Sequence, residues 1–188
     1  MDVLTQLDLD TAQRYDNEPF KTLNINLYAA PGVGKSATAN RLTSLLKLRN
    51  INTEMVQEYS KELHWDGRLE KTEQFIITAE QYRRQSILQG KVQVAVTDSA
   101  VALGSIYAPD AYKNELKHII QSLAKEWWSL DILLEKTKGL TADQFQIQND
   151  ILKMMRESGK TYIVESVDET VSARITNRIV TMLEKANS

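Results

Sequence analysis

Residues 23–36 read Leu-Asn-Ile-Asn-Leu-Tyr-Ala-Ala-Pro-Gly-Val-Gly-Lys-Ser. The first six alternate apolar and polar side chains and then meet two alanines, the pattern of a strand entering a core. From Lys35 to about Arg49 the chain turns helical in period, with Ala37, Leu42, Leu45, Leu46 and Leu48 building an apolar face. Gly32 and Gly34 lie between. Strand, glycine turn and helix are the setting of the phosphate loop G-x-x-x-x-G-K-[ST], which here runs from Ala29 to Ser36 with alanine in the first position.

That chemistry needs these residue types. Glycines let backbone N–H groups curl around phosphate oxygens, and the helix N-terminus adds a partial positive charge. Lys35 supplies a cation for the β- and γ-phosphates, and Ser36 offers a hydroxyl to magnesium. The expected nucleotide contacts are Pro31, Gly32, Val33, Gly34, Lys35, Ser36 and Ala37, and the expected ligands ATP and Mg2+. The competing reading is a chance turn with an exposed lysine. Eight residues in register between a strand and a helix favour the loop.

Strands and helices alternate along the rest of the chain. Expected strands are Thr53–Gln57, Val92–Thr97, Ile132–Leu134 and Tyr162–Val164, in addition to Leu23–Tyr28. Expected helices cover Ser60–Leu63, Lys71–Gln89, Tyr112–Trp127, Asp143–Glu157 and a C-terminal segment carrying Val171, Ile175, Ile179, Val180 and Leu183. Asn50, Gly90 and Gly159 read as helix stops, and Asp66-Gly67 as a turn. The long helix after residue 71 is expected to bury Phe75, Ile76, Ala79, Tyr82, Ile87 and Leu88. The next is expected to bury Leu116, Ile119, Ile120 and Leu123. Such alternation implies an α/β fold, a parallel sheet with helices on both faces. Residues 1–20 read as a short helix or loose extension in which Leu4, Leu7 and Leu9 dock on the body. Residues 21–188 read as one domain, with no internal repeat.

The bulk numbers agree with this class and exclude others. The chain has 188 residues, 42% hydrophobic and 26% charged, as expected of a globular domain with a full core. A net charge of −2 does not advertise a nucleic-acid scaffold. With no cysteine there are no disulfides or thiolate metal sites, which fits a reducing cytosol. The start is acidic and polar, unlike a signal peptide, and no apolar run approaches the roughly 20 residues that span a bilayer. A cytoplasmic location and no membrane partner are expected.

In open α/β sheets, ligands sit at the carboxyl ends of strands. Glu58 follows the second strand and Asp98 the third. An acid there can hold magnesium or accept a proton from an attacking hydroxyl. Each has a plainer alternative: Asp98 as a helix N-cap, Glu58 as a solvated acid at a helix start.

The segments INLYAAPGVGKS (residues 25–36), VQEYSKEL (56–63) and VTDSA (96–100) together resemble small phage-encoded P-loop kinase-like proteins. These include nucleotide kinases and enzymes that phosphorylate 5-hydroxymethyluracil in DNA. The resemblance covers most of residues 23–180. It implies a three-layer P-loop NTPase fold with strand order 2-3-1-4-5. It implies Glu58 as base toward the acceptor hydroxyl, Asp98 with Ser36 at magnesium, and a cytoplasmic setting in the host. The family's usual Ser-Pro is Ser99-Ala100 here, and its arginine-rich lid is missing. No arginine lies between Arg84 and Arg156, so Lys136 and Lys138, in a short lid at about 135–145, would have to supply the charge. A lysine is a point charge without the bidentate fork of arginine.

The interval between Glu58 and Asp98 covers the acceptor in such kinases. It contains Lys61, His64, Trp65, Arg68, Gln81, Tyr82, Arg83 and Arg84. Trp65 is placed to stack on a base or to fill the core. Gln81 is placed to bond a base edge, and Arg68, Arg83 and Arg84 to hold a phosphate of the acceptor or of DNA. Solvated faces are the alternative for each. His64 and His118 are isolated and read as structural. Of Trp127-Trp128, one is expected in the core and the other at a subunit contact, as in a homodimer. The leading function is an ATP/Mg phosphotransferase acting on a nucleoside, nucleotide or modified base, 5-hydroxymethyluracil in DNA being the specific expectation. The alternatives are an ATPase or nucleotide-dependent switch, and a kinase fold that binds without catalysis.

Overall fold

Five strands form one parallel sheet in the order β2-β3-β1-β4-β5 in a computed structural model that describes residues 21–123, 127–136 and 139–186. In chain order these are β1 (Leu23–Tyr28), α1 (Lys35–Lys47), β2 (Thr53–Val56), α2 (Tyr59–Trp65), α3 (Gln74–Ser86), β3 (Val94–Thr97), α4 (Gly104–Tyr107), α5 (Lys113–Leu123), β4 (Ser129–Glu135), α6 (Ala142–Glu157), β5 (Tyr162–Ser166) and α7 (Val171–Ala186). The expected order and class hold. Residues 1–20, with Leu4, Leu7 and Leu9, and Lys138 of the expected lid lie outside the described residues.

β1 runs between β3 and β4, pairing Ile25 with Val96 and Leu130. Its alternation therefore sorts two buried faces. Leu23, Ile25 and Leu27 pack with Leu42 and Leu46 of α1 and Ile175 and Ile179 of α7. The polar residues point the other way, but not to water. Asn24 is fully buried, and its amide oxygen accepts from Gln85 Nε2 at 3.1 Å and Gln89 Nε2 at 2.9 Å. Asn26 accepts from Gln85 at 3.1 Å and donates to Asp131 Oδ1 at 2.7 Å. Asp131 is itself buried, and desolvation holds its carboxyl above the usual range.

This polar layer corrects the expected face of α3. Phe75, Ile76, Ala79 and Ile87 are exposed, while Ile77, Thr78, Gln81 and Gln85 are buried. The sheet beneath offers Asn24, Asn26 and Thr97, and buried amides must find partners. The glutamines four residues apart supply them, so hydrogen bonding overrides hydropathy. The helix also starts later than expected, after a 3-10 turn at Leu69–Lys71. On α5, Leu116 and Ile120 are buried as expected, but Ile119 is exposed.

The turn Val101–Leu103 and α4 were anticipated only through the N-cap alternative for Asp98; both are too short to show a period. They pack between α3 and α5, where Val101 meets Leu116 and Ile120. Gly104 permits this approach, since a Cβ there would lie 2.2 Å from Thr78 Oγ1 and 3.0 Å from Thr78 Cγ2. Thr78 is buried and β-branched, so it cannot swing aside. Gly104→Ala is therefore expected to destabilise the fold by about 1–3 kcal/mol, read from the urea midpoint. An unchanged midpoint would show that α3 and α4 separate freely.

Candidate functional site

The loop after β1 has the shape that its glycines allow. Gly32 and Gly34 have φ of 75° and 115°, values that L side chains rarely adopt. Gly34 precedes the first turn of α1, so the N–H groups of that turn open towards the loop. A second helix braces the loop from outside. Thr141 and Gln144 form a capping box at the start of α6. Gln144 Nε2 then donates to Pro31 O at 2.9 Å, and Ala30 N donates to Gln148 Oε1 at 2.8 Å. Gln148 also reaches back to Leu134 O of β4 at 3.0 Å. Gln144 was visible in the sequence only as part of a lid segment. Its bracing role shows once α6 packs over the loop.

Lys35 and Ser36 open α1. Lys35 Nζ donates to Ala29 O at 2.7 Å and Ala30 O at 3.2 Å, so its ammonium folds over the loop that carries it. Burial pulls its pKa below the ordinary lysine value, against the opposing pull of Glu58 and Asp98. Both acids therefore lie within electrostatic reach of this lysine.

Asp98 follows β3 directly and is 1% exposed. It does not cap a helix: the next turn begins after Ala100. Its Oδ2 accepts from Lys61 Nζ at 2.7 Å, and its Oδ1 is buried with no hydrogen-bond partner among the described residues. A buried carboxylate oxygen without a donor calls for an explanation, and a cation supplies one. Ser36 Oγ is close by, since the same Lys61 Nζ bonds it at 2.6 Å. One acid and one hydroxyl beside a phosphate loop suit magnesium, which completes its shell with phosphate oxygens and water. No group of three His, Cys, Asp or Glu residues that could hold a metal by themselves occurs among the described residues.

Glu58 stands at the N-cap of α2 but makes no capping bond there. It accepts from the Ser60 hydroxyl and pairs with Lys61 Nζ at 3.4 Å. Its charge, after desolvation, also raises the pKa of Tyr107 at the end of α4, a half-exposed residue that the sequence did not single out. Lys35, Ser36, Glu58 and Asp98 are thus drawn together at the carboxyl ends of β1, β2 and β3, with Lys61 at their centre.

The other expected substrate residues stand differently. Trp65 ends α2 and is 76% exposed, which removes the core alternative. Arg68 pairs with Asp66 in solvent. Gln81 is buried: its Oε1 accepts from Tyr59 N at 3.1 Å and its Nε2 donates to Thr97 Oγ1 at 3.3 Å. It ties α2 to β3 rather than facing an acceptor. Arg83 bonds Glu80 through Nε and one terminal nitrogen. Arg84 forks onto Glu62 at 2.6 Å twice, adds Glu80 at 2.9 Å, and lies 4.8 Å over the Tyr59 ring. Two nearby acids account for both guanidiniums, so α2 is fastened to α3 by charge. Lys136 is exposed just beyond β4. His64 and His118 are exposed, and Trp127 stacks on Tyr82 at 5.0 Å.

Neither a family model nor a curated protein matches the sequence. Solved structures do match the fold. An APS kinase of Mycobacterium tuberculosis is 14% identical, with TM-score 0.50 over 88% of this chain and 99% of its own. A DUF1611-family protein of Anabaena variabilis is 9% identical, with TM-score 0.48 over 89% of this chain and 52% of that one. A cysteine-to-alanine variant of the same APS kinase is 12% identical, with TM-score 0.41 over 73% of this chain. At these identities the likeness concerns the fold, and the phage-type resemblance remains a likeness of short segments. With its strand order, glycine loop and helices on both faces, the chain shares the α/β fold of that APS kinase.

Proposed function

We propose that this chain is a P-loop phosphotransferase that moves the γ-phosphoryl group of ATP to a hydroxyl of a nucleoside-like acceptor. One observation carries the reading most: a second carboxylate, Glu58, stands beside Asp98 and Ser36, tied to them through Lys61. Holding a nucleotide and magnesium requires only one acid. A second at the end of the next strand serves an incoming hydroxyl. The APS kinase of like fold was solved in complex with AMPPNP and APS.

The chain's own groups divide the work. Loop N–H groups and Lys35 balance the triphosphate charge. Ser36 and Asp98 would hold magnesium, which when bound neutralises charge on the phosphate oxygens. Glu58 accepts the proton of the acceptor hydroxyl as its oxygen bonds the γ-phosphorus and the bond to the β-phosphate oxygen breaks, leaving ADP. Trp65 offers an exposed ring for stacking on a base. The acceptor we put first is a 5-hydroxymethyl pyrimidine, free or in DNA.

ATP labelled at the γ-phosphate, incubated with nucleosides, nucleotides and hydroxymethylated DNA, should label one acceptor class. Release of inorganic phosphate alone would favour an ATPase or switch, and nucleotide bound with neither transfer nor release would favour a kinase fold that binds without catalysis, the reading that the lack of arginine between Arg84 and Arg156 supports. Glu58→Gln should lower kcat by about 100-fold while nucleotide affinity changes little. A loss of affinity with kcat preserved would remove Glu58 from the proton transfer.

A further inference from the structure

Lys61 is the centre of the site, although it lies outside the phosphate loop. Its Nζ donates to Ser36 Oγ at 2.6 Å and Asp98 Oδ2 at 2.7 Å, and Glu58 Oε2 lies 3.4 Å away. Three elements meet on one ammonium: the first turn of α1, the end of β3 and the start of α2.

We propose that Lys61 is a built-in cation that competes with the divalent metal for Ser36 and Asp98, so that metal enters with the nucleotide and not ahead of it. The inference rests on the reading of Ser36 and Asp98 as the metal's protein ligands. An ammonium hydrogen-bonded to both oxygens covers the same face of the site that a metal would use. Two cations packed against one carboxylate repel each other, since at contact distance no water lies between them. The metal therefore gains the position only with the extra negative charge that a triphosphate brings. Glu58 is the acid left to Lys61 after exchange, on the same helix turn and already within ion-pair distance. Lys61 is thus a positioning residue: it keeps Asp98 and Glu58 from repelling each other, and it makes metal affinity depend on nucleotide.

Manganese binding without nucleotide tests this directly, because it needs no turnover. Free Mn2+ is titrated by electron paramagnetic resonance into the full chain and into Lys61→Met, Lys61→Gln and Lys61→Arg. The side chain is 38% exposed, so these substitutions leave the core untouched, and circular dichroism checks the fold of each. The neutral variants should bind Mn2+ about tenfold more tightly than the parent, and the arginine variant as weakly as the parent. Equal Mn2+ affinity in the parent and in any folded neutral variant would overturn the proposal. ATP binding to the parent in Mg2+, measured by equilibrium dialysis, separates the two ideas. If it fails while the manganese difference stands, the nucleotide reading falls and the competition at Ser36 and Asp98 survives.

Discussion

Lys35→Ala will lower phosphoryl transfer from ATP by about a thousandfold while the protein stays folded. The lysine rises from the first turn of α1, and its ammonium lies over the loop at 2.7 Å from Ala29 O. Desolvation weakens the hold on its proton, as expected of a partly buried cation. A charge so placed interacts strongly with an incoming anion. Its structural bonds are to two backbone carbonyls; a bond from a charged group is worth about 1.5–3 kcal/mol, and the ammonium's own desolvation offsets part of that. Activity and stability should therefore separate. Steady-state rates and a urea melt of the same preparation check this. Loss of several kcal/mol of stability together with activity would make Lys35 a structural clamp instead.

Asp98→Asn should have an effect of similar size for a different reason. Asparagine keeps the shape and one oxygen but removes the charge that faces Lys61 at 2.7 Å and the buried Oδ1. Turnover should fall by about 100- to 1,000-fold, and the magnesium concentration needed for half-maximal rate should rise. Stability is the useful control. Breaking a fully buried ion pair costs about 3–5 kcal/mol. Here Lys61 is 38% exposed and keeps Glu58, so water and the second acid limit the loss. A melt shifted by the full buried-pair cost, with a magnesium requirement unchanged, would mean that Asp98 serves the fold.

Much of this site was legible because its signals are local. The loop, its strand and its helix are contiguous, and Glu58 and Asp98 each follow a strand whose end the side-chain pattern marks. What the sequence hid depends on partners distant along the chain. Lys61 reads only as one member of the interval expected to cover the acceptor. Its role appears only when folding brings Ser36 and Asp98, 25 and 37 residues away, to the same nitrogen. Gln144 reads only as part of a lid segment, and Gln148 carries no signal of its own, until α6 lies over the loop.

The misread face of α3 has one cause. Hydropathy assumes that a helix turns its apolar side inward, but this one lies over Asn24, Asn26 and Thr97. Gln81 and Gln85 satisfy those groups, and Phe75, Ile76 and Ile87 are left outside. The same amide layer explains why Gln81, an expected reader of a base edge, fastens α2 to β3. Arg83 and Arg84 also have partners that the sequence did not show. Their likeness to phosphate clamps rested on charge alone, and Glu80 and Glu62 were near enough to take them.

The central claim is that the glycine loop between β1 and α1 receives a triphosphate. Hydrogen exchange of the full chain, with and without ATP and Mg2+, tests it most directly. Amides of residues 32–37 should slow sharply on addition of nucleotide, and those of 58–61 should change with them as Lys61 gives up Ser36 and Asp98. Unchanged exchange across residues 32–37 at saturating ATP would contradict the account.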